Sequence, residues 1–388
     1  MLSVVRLSAF LLAAAMLAGC SGAGSGSTSA QTYPSDIAGQ PELMAVTTRK
    51  PVGADKPWFG TERADASVVR VRLASPHQAG RFSLVAAGLR DWTITQVEPV
   101  PALDLGGNSG GKRDVLVYVH GFNATFERAA LDAARLSDAL KFRGDTVLFS
   151  WPSRDSVFDY LADRESAVWS RDALEYAFGS MLSDPNVGQV HIVAHSMGSM
   201  LTVEALRQVH ASNRGNMSRF GAIVFASPDI DVDSFSASVR RLGGLHRQMT
   251  VIAAKDDRAL AISASLAGGK RVGRAEAAAL QKLGIEVVDA SGMGGFLRHD
   301  TFLADASVQK IVTQAIANAR SGAIAAGPAP FPVFQRDLPV TQQPLAAPAA
   351  PAPVAAPATL APVASPADTP IATTQPAPTS APSPSALY

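Results

Sequence analysis

Cysteine is nearly absent: Cys20 is the only one in 388 residues. That excludes an intrachain disulfide framework and a cysteine-based zinc site. An excess of either charge is lacking too. There are 34 basic and 33 acidic residues, a net of +1, so no field of one sign points to nucleic acid or an anionic surface. Nor is there a nucleotide loop. The Gly-Ala-Gly-Ser-Gly run at 22–26 has no strand before it and no helix after it. The stretch Gly106 to Lys112 comes close to a phosphate-binding loop, but Arg113 stands where Ser or Thr must meet magnesium, and a strand follows where a helix is needed. What is plentiful is apolar residue, at 47%, mixed through the middle of the chain and sufficient for a sizeable core of one large or two ordinary domains.

The ends differ from the middle. Arg6 precedes an apolar run, Leu7 to Ala18, too short to span a bilayer comfortably. It ends Leu17-Ala18-Gly19-Cys20, which resembles the lipobox of bacterial lipoproteins. The resemblance implies that Cys20 becomes the acylated first residue and that 1–20 is a signal peptide. Ser21, in place of Asp, implies sorting to the outer membrane, facing the periplasm. Residues 21–44 read as a flexible tether, rich in Gly and Ser at its start. Residues 321–388 are dominated by Pro and Ala without apolar periodicity, and are expected to be a disordered, partly polyproline II tail, a spacer or a ligand for an envelope partner.

Between them, 45–320 alternates strands and helices. Ala45 to Gly60 reads as an extended lead-in, and Val68–Leu73 and Trp92–Val97 as strands. Val115–Val119 is a continuous apolar strand of the kind buried on both faces. Strands follow at Thr146–Ser150, Val190–Ala194, Ala222–Ala226, Met249–Ala254 and Ile285–Asp289. Helices are predicted at Thr125–Phe142, Arg164–Leu182, Ser199–Val209 and Phe302–Ala319. This predicts an α/β fold with a mostly parallel, doubly wound sheet, helices on both faces and the functional residues at the strand C-termini.

One stretch organises the rest. Ala194-His195-Ser196-Met197-Gly198 puts a serine on the tight turn between a strand and a helix. Such a turn lifts a serine Oγ above the sheet edge, and small residues flank it because strand and helix crowd there. A hydroxyl is a weak nucleophile until a base takes its proton, and the base needs a carboxylate to orient it. Of the seven histidines, His299 alone lies in a loop after the final strand, where a base is expected. For the acid, Asp256 and Asp257 follow one strand, and Asp229 and Asp231 follow the one before. The later pair occupies the commoner position, and one of that pair is expected to cap the next helix. Two backbone N–H groups are needed for a developing oxyanion. Met197 at the helix start and Phe122 in His120-Gly121-Phe122 are the candidates, with His120 supporting its loop.

At Val46-Thr47-Thr48-Arg49-Lys50-Pro51, Phe59-Gly60-Thr61-Glu62-Arg63, Val117 to Asn123, Phe149-Ser150-Trp151-Pro152-Ser153, Ala194 to Gly198, Ser227-Pro228-Asp229-Ile230-Asp231 and Asp257-Arg258-Ala259-Leu260, the chain resembles a bacterial α/β-hydrolase family of unknown function, described as esterase/lipase-like. The resemblance covers roughly Ala45 to Arg320. It favours Asp257 as the acid, and implies a Ser/Asp/His hydrolase with no metal or organic cofactor. It implies no particular substrate. The reading is a membrane-anchored hydrolase of small-molecule or lipid esters. Its rival is a non-catalytic envelope lipoprotein that uses the fold and tail to bind or to space. Ser153 to Arg164 is either a lid over the site or a packed domain edge.

Overall fold

The computed structural model describes residues 41–322, apart from 54–55, 76–90, 107–110, 155, 213–215, 294–298 and 300. These residues belong to the first of two units, Met1–Val333 and Phe334–Tyr388. Cys20, its leader, nearly all of the tether and nearly all of the Pro/Ala tail lie outside the described residues.

Strand β4 (Arg113–Val119) shows why the apolar runs become strands. Val115, Val117 and Val119 pack into one hydrophobic layer, and Leu116 and Tyr118 into another. Side chains alternate along a strand, so an unbroken apolar run requires a helix layer on each face. Five further strands run parallel in the sheet: β5 (Asp145–Ser150), β6 (Val187–His195), β7 (Phe220–Ala226), β8 (Met249–Ala253) and β9 (Glu286–Asp289). Three earlier strands extend it: β1 (Glu42–Pro51), β2 (Phe59–Ala74) and β3 (Thr93–Val100). The order is β3-β2-β1-β5-β4-β6-β7-β8-β9, antiparallel at β1/β2 and β2/β3 and parallel elsewhere. One face is covered by α1 (Phe126–Ala139), α8 (Thr301–Ala304) and α9 (Ala306–Arg320). The other carries α2 (Tyr160–Trp169), α3 (Arg171–Ser183), α4 (Met197–Ser212), α5 (Val232–Val239) and α7 (Ala277–Gln281). Helix α6 (Arg258–Ala267) follows β8. No helix among the described residues is long and apolar enough to cross a membrane.

Three expectations change. The lead-in from Ala45 is in fact β1, an internal strand paired on both sides, and it begins at Glu42. Its polar residues hid it. Thr47, Thr48 and Arg49 are all buried, because each finds hydrogen bonds on other elements. The long helix predicted at Arg164–Leu182 is two helices, α2 and α3, divided at Ser170. Its Oγ bonds Ser166 O at 2.8 Å and Thr48 Oγ1 at 2.9 Å. The last helix is divided likewise, since Asp305 caps α9 through Ser307 N and Val308 N.

Candidate active site

The site is built where β6 turns into α4. Ser196 has φ +51°, a left-handed conformation that non-glycine residues adopt at a cost of about 1–3 kcal/mol. The turn is held by its backbone. Ser196 N donates to Ala226 O at 2.9 Å, and Ser196 O accepts from Asp229 N at 3.1 Å. The two motif positions flanking the serine are crowded. Ala194 is fully buried, and a Cβ at Gly198 would sit 2.3 Å from His120 O. Glycine is therefore required at 198, while a methyl group is accommodated at 194. A Cβ at Gly121 would meet His195 Nδ1 at 2.8 Å and Ser196 Cβ at 3.0 Å, so the loop after β4 lies directly against the serine.

The turn after β8 supplies the carboxylate. Asp257, after β8, is fully buried. Its Oδ2 accepts from His299 Nδ1 at 2.8 Å, and its Oδ1 accepts from Leu260 N at 2.9 Å as the N-cap of α6. Asp257 is thus the member of the pair that caps the helix, and the same residue holds His299. An ionised carboxylate only accepts, so the pair fixes the proton on His299 Nδ1 and makes Nε2 the basic nitrogen. Asp256 Oδ2 accepts from Gly292 N at 3.0 Å. Asp229 is buried in another network, with Arg271 Nε at 3.3 Å and the hydroxyls of Tyr160 and Ser263 on its carboxylate. Burial and the Asp229 charge push the Tyr160 phenol up to about 12. Asp231 caps α5 through Asp233 N and Ser234 N.

A strand–serine–helix turn with a buried carboxylate–histidine pair at the same sheet edge is the architecture of the α/β-hydrolases. Residues 108–319 match the family described as "Alpha/beta hydrolase of unknown function (DUF900)". The chain belongs to this family. The matched span begins ahead of β4, leaving β1 to β3 and the motifs they carry outside it. An uncharacterized protein of Nostoc sp. is 28% identical over 122 residues, 25% of this chain and 32% of that one. The chain thus spans about a third of that relative's length. Among solved structures, a Pyrobaculum calidifontis esterase aligns with a TM-score of 0.33 and 14% identity, over 67% of this chain and 83% of that one. An ester-hydrolase from the metagenome of Lake Arreo aligns at 0.36 and 16%, over 74% and 86%. Est1E from Butyrivibrio proteoclasticus aligns at 0.34 and 12%, over 66% and 97%.

Within this DUF900 fold, the two candidate oxyanion donors sit on different elements. Met197 is the first residue of α4, so its N–H is one of the four that a helix start leaves without an intrahelical acceptor. Phe122 lies in the loop after β4. His120, just before it, is buried between Gly121 O, at 2.8 Å from Nδ1, and Trp151, whose N–H donates to Nε2 at 3.1 Å. Its ring stacks on Trp151, centroids 4.9 Å apart. Burial first, and the Arg49 charge second, lower its pKa to about 3, so it holds the loop as neutral imidazole. Among the described residues no group of three or more His, Cys, Asp or Glu side chains is placed to hold a metal ion.

Sequence reasoning missed His195. Its Nε2 donates to His299 O at 3.0 Å, and its ring packs on those of His299 and Phe302, centroids 4.7 and 4.9 Å away. Burial, followed by the neighbouring His299, holds its pKa well below the usual imidazole range. The residue beside the nucleophile thus grips the backbone of the residue paired with Asp257. Adjacency to Ser196 was the one signal available.

Proposed function

We propose that this chain is a serine hydrolase acting on a carboxylic ester, with Ser196 as nucleophile, His299 as base, Asp257 as its orienting carboxylate and the N–H groups of Phe122 and Met197 as the oxyanion hole. The observation that carries the reading is the 2.8 Å Asp257–His299 bond at the same sheet edge as a serine held at positive φ. Ser196 Oγ attacks the carbonyl carbon while its proton passes to His299 Nε2. The carbonyl oxygen becomes an oxyanion, which two backbone donors stabilise in a water-poor site. On collapse the alcohol leaves with the proton from His299, and an acyl group remains on Ser196. Water then attacks the acyl carbon, giving its proton to His299, and the acid departs as Ser196 Oγ takes that proton back. Asp257 keeps its charge throughout and stabilises the imidazolium.

The second part of the proposal is anchorage. The lipobox-like Leu17-Ala18-Gly19-Cys20 supports acylation of Cys20 and attachment to the outer membrane from the periplasmic side, with the Pro/Ala tail as a spacer toward an envelope partner. Labelling with a fluorophosphonate probe and peptide mass mapping tests the chemistry without knowledge of the substrate. The adduct is expected on Ser196, absent in Ser196→Ala and sharply reduced in His299→Ala. An adduct that persists in Ser196→Ala refutes the assignment.

A further inference from the structure

Three motifs remain that the catalytic assignment does not use: Thr47 to Pro51, Asn123 at the end of His-Gly-Phe-Asn, and Ser153 at the end of Ser-Trp-Pro-Ser. In the fold they meet behind the loop that carries Phe122. Arg49 of β1 is buried, and its guanidinium spans the ends of two loops. Nη2 donates to Ala124 O at 2.6 Å, Nη1 to Ser153 O at 3.0 Å and Gly60 O at 3.2 Å, and Nε to Ser150 Oγ at 2.9 Å. Asp163 of α2 is fully buried and takes the donors of the second of these loops, Ser153 Oγ and Arg154 N at 2.9 Å. Ser153 Oγ in turn accepts from Ala124 N at 3.2 Å. Asn123 itself is at φ +59°.

A buried guanidinium and a buried carboxylate are poor ways to fill a core, because desolvation opposes both. Their bonds here converge on Ala124 and on residues 153–154. Upstream, His120 is fixed by Trp151. Phe122 therefore lies between two clamped points, with Gly121 against Ser196. Helix α2 is tied at a second place. Tyr160 donates to Asp229 Oδ2 at 2.9 Å, and Asp229 N donates to Ser196 O.

We propose that Asp163 and Arg49 are positioning residues for the oxyanion hole: through Ser153 and Ala124 they aim the Phe122 N–H at the developing charge. Helix α2 is accordingly a fixed brace of the site and not a lid. This inference rests on the serine-hydrolase reading of Ser196. A donor that acts only on the transition state changes the maximal rate and leaves ground-state binding alone.

The test is fluorophosphonate labelling of the full chain at varied probe concentration, which separates the maximal phosphonylation rate from the half-saturating concentration. For Asp163→Asn the maximal rate is expected to fall about 10- to 100-fold, the order lost with a misplaced oxyanion donor, with half-saturation within about twofold. Arg49→Lys should behave alike, since an ammonium cannot reproduce the planar fork that reaches three carbonyls. Ser153→Ala removes only the linking hydroxyl and serves if Asp163→Asn does not fold, as judged by circular dichroism and Tm. Maximal rates within twofold of wild type in folded Asp163→Asn and Ser153→Ala overturn the brace while leaving Ser196 standing. Wild type unlabelled at Ser196, or labelled elsewhere, overturns the hydrolase reading and this inference with it.

Discussion

Asp257 offers a perturbation in which stability and chemistry separate. Its two oxygens serve different partners, Oδ1 the α6 cap at Leu260 N and Oδ2 the His299 ring. Asparagine caps helices about as well as aspartate, so Asp257→Asn keeps the first contact if its carbonyl takes the Oδ1 place. Its NH2 then faces His299 Nδ1, where only an acceptor serves. The imidazole must move its proton to Nε2 or lose the contact, and either change removes the base from Ser196. A drop of about 10⁴ in labelling rate is expected, the size found when an orienting carboxylate becomes an amide in a Ser/His/Asp hydrolase. Asp257→Ala removes both acceptors. Loss of the cap at Leu260 N costs about 1 kcal/mol, and the His299 Nδ1–H left without its acceptor costs about 1–3 kcal/mol where it finds no water. The sum is about 2–4 kcal/mol, a fall in Tm of about 4–16 °C for a domain of this size. Thermal unfolding and labelling rate are measured on both variants. Asp257→Asn should unfold within about 3 °C of wild type while nearly inert. If it labels within tenfold of wild type, Asp257 does not orient the base. If it unfolds as early as Asp257→Ala, the division of labour between the two oxygens is wrong.

Other outcomes follow from the same geometry. Gly198→Ala drives a methyl group to 2.3 Å from His120 O, so backbone must move, and a loss of about 1–3 kcal/mol with reduced labelling is expected; unchanged Tm would contradict the crowding argument. His195→Phe keeps a ring against His299 and Phe302 but loses the 3.0 Å bond to His299 O, so labelling should slow about tenfold with little change in Tm. Burial, the largest influence on Asp163, pushes its carboxyl up from 3.8 to about 6. The folded state therefore holds this proton where the unfolded chain has released it, and stability drains away as pH rises from about 4 to about 6. Relative to Asp163→Asn, wild type should lose up to about 3 kcal/mol across that window in denaturant titrations. Taking the difference between the two removes the opposite contribution of His120, whose lowered pKa adds stability over the same range. A pH-independent difference would show that Asp163 titrates normally.

Much of the fold was legible because its strongest signals are local. The apolar runs of β4, β6 and β7 and the strand–serine–helix turn need only neighbours along the chain to be recognised. Helix ends were less so. Ser170 divides a continuous helical pattern because Thr48, 122 positions away, supplies a partner for its hydroxyl. β1 was unreadable for the same reason. Thr-Thr-Arg is polar in sequence and becomes core only when Ser150, Ser153, Ala124 and Ser170 arrive to satisfy it.

The candidate site divides the same way. Ser196, Gly198 and the late His299 follow from residue type and order, since the turn and the strand-end loops constrain what can stand there. The choice among Asp229, Asp256 and Asp257 does not, because all three follow strands that end at one sheet edge. Only packing gives Asp229 to Arg271 and Tyr160, Asp256 to the backbone of Gly292, and Asp257 to His299. Local pattern along the chain is enough to name the candidate residue types and their order. The tertiary structure decided the partners: a buried polar group must be satisfied by whatever the fold brings within about 3 Å, and a linear pattern holds no record of that distance.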